Sequence, residues 1–171
     1  MFVAAIALFL AACDNNSTEK KAPETTKQQA APPVTTAMQL KDDKLNAIYA
    51  QYALLVAALT KGDAPAARIA ANAIEAGAAT IKEGSSTGAA AASIVATADI
   101  EAQRTAFAAL STALITLVKQ SGLSAGVLYV DFCPMAMNNQ GAYWLSESSR
   151  IKNPYFGEQM LTCGEVKETL K

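Results

Sequence analysis

KLNAIYAQYALLVAALTKGD, residues 44–63, decides the fold of this chain. Leu45, Ile48, Tyr49, Tyr52, Leu55, Val56 and Leu59 recur at intervals of three and four, which puts them on one face of a helix. Lys61-Gly62 stops that helix, and Asp63 can cap the next one. The second expected helix runs from about Ala64 to Lys82 and carries Ile69, Ala73, Ile74, Ala78 and Ile81; its alanines favour helix and allow a neighbour to come close. Glu83 to Gly88 ends it. A third, long helix is expected from about Ala89 to Gln120, with Ile100, Phe107, Leu110, Leu114 and Leu117 along one stripe and a stop at Ser121-Gly122. Short connections make the three helices antiparallel neighbours. The fold expected is therefore mainly α: a three-helix antiparallel bundle over 38–122, followed by a small C-terminal lobe of short strands and loops over 123–171.

Tyr49 and Tyr52 are read as core residues of an amphipathic helix rather than as a ligand-stacking pair. Glu101 and Arg104 lie one turn apart and are expected to pair on the solvent side, with no functional role. The bundle has no paired carboxylates, no glycine-rich phosphate loop and no nucleophile beside a base. It reads as scaffold, and the chain is not expected to be an enzyme.

Upstream, Phe2 to Ala12 is an unbroken apolar run that ends in Leu10-Ala11-Ala12-Cys13. Small residues directly before a cysteine mark a bacterial lipoprotein signal, and the run is too short to span a bilayer. Residues 1–12 are therefore read as a signal peptide and Cys13 as the lipidated residue, a membrane anchor. The run lacks a preceding Lys or Arg, and a cleaved secretory signal with an incidental cysteine is the alternative. Residues 13–37 are polar, with almost no large apolar side chain, and are expected to be a disordered tether. Residues 38–171 form the single domain. The formal net charge is −1, with no basic patch, so nucleic acid is not an expected partner. Localisation is expected in the cell envelope, as a periplasmic or outer-membrane lipoprotein.

Downstream of Gly126 the helical period stops. Val127-Leu128-Tyr129-Val130 is expected to be a short strand delivering Cys133 to a loop, and Pro134 ends regular structure. Asn138 to Gly141 is a turn, Ala142 to Leu145 a second apolar segment, and Asn153-Pro154-Tyr155-Phe156-Gly157 a second turn. Three of the five methionines and two of the three cysteines fall here, in a chain without histidine. Thiolate and thioether sulfurs are soft donors that favour Cu(I). Cys133 and Cys163, with Met135, Met137 or Met160 as a further ligand, are the candidate copper ligands. Trp144 is a candidate cover for the ion through its π face, or else the lobe's hydrophobic anchor. Outside the cytoplasm the same two cysteines can instead form a disulfide, which would stabilise the lobe by roughly 3 to 4 kcal/mol. Cofactors are thus Cu(I) or none. Zinc would need carboxylates such as Asp131 or Glu165 to complete four ligands, no calcium loop is present, and a redox enzyme would want Cys-x-x-Cys spacing.

Cys133-Pro134-Met135-Ala136, Gly141, Trp144-Leu145-Ser146, Ile151, Asn153 to Gly157 and Met160-Leu161-Thr162-Cys163-Gly164 together resemble domain of unknown function 3347. The opening, with Leu45, Tyr49, Tyr52 and Gly62-Asp63-Ala64, is also similar to that family, and the resemblance covers roughly everything after Met38. Members occur as exported lipoproteins and as extra domains on periplasmic adaptor subunits of heavy-metal efflux pumps. The resemblance therefore implies copper or silver handling outside the cytoplasm, with such an adaptor as a partner. Many members carry a histidine near the first cysteine, where this chain has Asp131 and Phe132, so a site here relies more on sulfur. Two functions are expected: copper binding in handling or efflux, or a disulfide-stapled module docking on an efflux adaptor or another envelope protein. Methionines that converge on the cysteines favour the first; methionines spread through the lobe favour the second.

Overall fold

The structure, a computed structural model, describes residues 37–171. The expected signal segment, Cys13 and the expected tether up to residue 36 lie outside the described residues. The described chain is mainly helical, with a small C-terminal region of short antiparallel strands.

Helix α1 spans Asp43–Lys61. Asp42 caps its start by accepting a hydrogen bond from the Leu45 amide at 2.9 Å, and Gly62 closes its end in the left-handed conformation at φ 73°. Its apolar face is buried as the spacing requires, from Leu45 to Leu59. Helix α2, Ala64–Ala78, begins at the Asp63 cap. Its buried face is built from Ala67, Ala70, Ala71, Ile74 and Ala78, while Ile69 points to solvent. The small residues bring α1 and α2 close: a Cβ on Gly77 would lie 2.8 Å from the Ile48 side chain.

The expected third helix is two helices, α3 (Ser85–Val95) and α4 (Ile100–Ser121). Helix α3 starts within the Gly84 to Gly88 stretch that reads as a break. The true break falls at Ala96 to Asp99, where the Thr97 hydroxyl accepts from the Asp99 amide at 3.1 Å and the Asp99 carboxylate accepts from the Ala102 amide at 2.7 Å. The Gln103 side chain locks the junction by donating to the Thr97 and Ala64 carbonyls. Each helix packs on the next, and α4 also packs against the sheet.

A two-stranded pair, β1 (Gln39–Leu40) with β2 (Leu123–Ala125), ties the start of the described chain to the end of α4. The main sheet is antiparallel with β3 (Leu128–Cys133) at its centre, β4 (Ala142–Ser146) on one side and β5 (Glu165–Leu170) on the other. Cys133 is thus the last residue of a central strand rather than part of a loop. Between β3 and β4 the chain makes a tight turn in which Met137, Asn138 and Asn139 are all left-handed, at φ 52°, 54° and 63°. This conformation costs roughly 1–2 kcal/mol for each residue bearing a side chain.

Helices and sheet share one core. A chain of aromatic rings crosses it: Tyr49, Tyr52, Phe107, Tyr155 and Trp144, with successive centroids 5.4–6.0 Å apart. The buried Tyr52 hydroxyl accepts from the Leu145 amide at 3.0 Å and meets the Ser111 hydroxyl at 2.7 Å, joining α1, α4 and β4 at one atom. Tyr52→Phe leaves two buried groups unpartnered, so a loss of roughly 1–3 kcal/mol in urea unfolding is expected. A change within error of zero would show that the hydroxyl is not what joins these elements.

Candidate functional site

Cys133 arrives on β3, whose apolar residues Leu128 and Val130 are buried with it. Cys163 arrives from the opposite direction. A 3₁₀ turn over Gly157–Met160 leads into it, and the Cys163 amide donates to the Met160 carbonyl at 3.0 Å. Asn153, fully buried, holds this loop: its side chain donates to the Cys163 carbonyl at 2.8 Å and accepts from the Tyr155 and Phe156 amides at 2.7 and 3.2 Å. Gly164, at φ 137°, lets the chain pass the Trp144 indole, where a Cβ would meet the ring at 2.9 Å. The result is that the Cys133 and Cys163 sulfurs lie 2.8 Å apart, both as free thiols. The hydrogen bond to Cys133, followed by burial, pushes the Cys163 thiol up to about 11, and the Met135 amide pulls the other way. Cys163 therefore keeps its proton at neutral pH rather than releasing it to give a reactive thiolate.

The other expected ligands are placed differently. Met135 is about half exposed, and it lines a cavity of about 620 Å³ together with Met137, Tyr155 and Phe156. Neither cysteine lines that cavity. Met160 is partly buried on the 3₁₀ turn. Trp144 is 1% exposed and packs edge-on to Tyr155, as an anchor of the lobe does. Among the described residues, no group of three or more His, Cys, Asp or Glu side chains is placed to hold a metal ion. Asp131 and Glu165 do not complete a zinc set with the cysteines.

Three residues matter more than their sequence positions suggest. Asp131 is completely buried, with neither carboxylate oxygen hydrogen-bonded, and burial pushes its carboxyl up to about 7. Its signal was a charged residue inside an apolar strand. Arg104 is not on the solvent side: only its partner Glu101 is exposed. The Arg104 guanidinium donates to the Leu59 carbonyl at 2.9 Å, to the Pro154 carbonyl at 3.1 Å and to Glu101 at 2.6 Å, tying the end of α1 to the 153–157 turn. Asn153, the third, lies inside the Asn-Pro-Tyr-Phe-Gly motif.

Among the described residues no helix is long and apolar enough to cross a membrane. No curated protein and no solved structure matches the chain. A family match does exist, over residues 48–126, which spans most of α1 through β2 and ends before Cys133. That match, over just under half of the chain, is to the family described as protein of unknown function (DUF3347), which supports the resemblance read from the sequence.

Proposed function

We propose that this is a non-enzymatic lipoprotein of the bacterial envelope, anchored through Cys13, whose C-terminal lobe is stapled by a Cys133–Cys163 disulfide. It acts as an interaction module that docks on an efflux adaptor or another envelope protein. The observation that carries the reading is the 2.8 Å approach of two sulfurs from segments 30 residues apart in sequence. A metal ion held by both at the roughly 2.3 Å typical of zinc–thiolate bonds would need them further apart. The positions of Met135 and Met137 in a cavity that neither cysteine lines add to it.

A second reading is favoured by one feature: Met135 follows Cys133 by two residues, is half exposed, and sets its amide against the Cys163 sulfur. Under this reading the reduced pair opens to take Cu(I), with Met135, Met137 or Met160 as a thioether ligand, in copper handling or efflux.

Thiol counting on a chain lacking the first 13 residues, followed by anaerobic Cu(I) titration against a competing chelator, separates the two. A bridge that resists mild reductant, with no copper uptake while the lobe stays folded, is the expected result. Stoichiometric Cu(I) binding by the reduced protein, lost in Cys133→Ser and weakened in Met135→Leu, would overturn the module reading and establish the metal one.

A further inference from the structure

A cleft of about 310 Å³ lies between α1 and the strand β4 with the loop that follows it. Its walls are apolar. Tyr49, Ala53, Val56 and Ala57 of α1 line it together with Trp144 and Leu145 of β4. Its mouth is polar and cationic: Lys61, Arg150 and Lys152 line it, with Glu147 as the one acidic residue among the lining groups. All four mouth residues are exposed, and among the described residues no carboxylate bridges any of the three cations.

An apolar cleft with a few polar groups at its mouth is the usual form of a small-molecule site, and this volume is at the lower end of the roughly 300–1,000 Å³ such sites occupy. The charge at the mouth selects an anion, because three cations against one carboxylate leave an excess of positive potential above low-dielectric walls. The size selects a single short apolar body and excludes the paired chains of a phospholipid. We infer that this cleft binds a small amphipathic anion, a medium-chain or aromatic carboxylate, with its apolar part between α1 and β4 and its carboxylate at Arg150 and Lys152. The cleft is separate from the cysteine pair, so the inference does not depend on the state of those sulfurs.

The test uses the chain's one tryptophan, which forms part of the cleft wall. Decanoate is titrated into the full mature chain, followed by Trp144 fluorescence and by calorimetry, with decyltrimethylammonium as the probe of opposite charge. Saturable 1:1 binding of decanoate is expected, with binding of the cationic probe at least tenfold weaker. Arg150→Glu combined with Lys152→Glu is expected to weaken decanoate about tenfold or more, equivalent to about 1.4 kcal/mol. Lys61 is left unchanged because it also sits at the end of α1, where a cation offsets the helix dipole. Ala57→Phe, which fills the cleft from an exposed position, is expected to abolish binding while the circular dichroism spectrum and unfolding midpoint are retained. No saturable binding, equal binding of the two probes, or decanoate affinity unmoved by both variants would overturn the inference.

Discussion

Asp131→Asn raises the stability of the fold at pH 8 by roughly 2 to 4 kcal/mol and flattens its dependence on pH. In the folded protein the carboxyl is buried without a hydrogen-bond partner and titrates at about 7, against 3.8 for a free side chain. The native state therefore holds a proton on Asp131 across a pH range in which the unfolded chain has already lost it. Stability contributed by this group is complete below the unfolded value, falls as pH rises from about 4 towards 7, and is level above that. Each unit of difference is worth about 1.4 kcal/mol, so the whole drop is about 4 kcal/mol. Asparagine keeps the shape and removes the titration, although its amide inherits some of the same unsatisfied polarity. Urea unfolding of both proteins at intervals between pH 4 and pH 8 is the measurement. Curves that run parallel over that range would show that Asp131 is hydrated or paired in solution, and the buried-carboxyl reading would fall.

Oxidation of the Cys133–Cys163 pair has an effect of comparable size. Closing a loop of about thirty residues stabilises a fold by roughly 3 to 4 kcal/mol when the geometry is relaxed. Here the two sulfurs are already adjacent as free thiols, with the Asn153 bonds and the glycine at 164 shaping the loop that carries Cys163. The oxidised protein is therefore expected to unfold at higher urea than the reduced one by that free energy, and Cys163→Ser should behave like the reduced form in either condition. Equal midpoints for oxidised and reduced protein would mean that the lobe is held by Asn153, Trp144 and Tyr155 alone, and that the sulfurs serve some other purpose.

The helical part was the more legible in sequence because its signals are local. A three-and-four spacing from Leu45 to Leu59, with Gly62 at its end, leaves little choice of structure. The division between α3 and α4 was hidden because alanines on both sides of Ala96 to Asp99 continue the helix pattern, and the cap at Asp99 is a single residue in an otherwise helix-favouring run. In α2 the isoleucine at 69 suggested a buried side chain, yet close approach of α1 made alanine the better filler and left Ile69 74% exposed. The lobe was legible in its turns and its two cysteines, since these carry chemistry on their face. Burial of Asp131 and Arg104 was not, because it depends on the tertiary fold: the Arg104 guanidinium, for example, donates to the carbonyl of Pro154, 50 residues away.

The two tyrosine hydroxyls on β4 have a bearing on how this protein meets others. Tyr52 takes the Leu145 amide and Tyr155 donates to the Tyr143 carbonyl at 2.6 Å, so outward-facing backbone groups of that strand are already occupied. The opposite border of the sheet is β5, which bears Glu165, Lys167 and Glu168, and exposed charges there discourage a foreign strand from pairing. Neither border is suited to being extended by a passing polypeptide. A second chain is therefore poorly placed to add a strand at either border of this sheet.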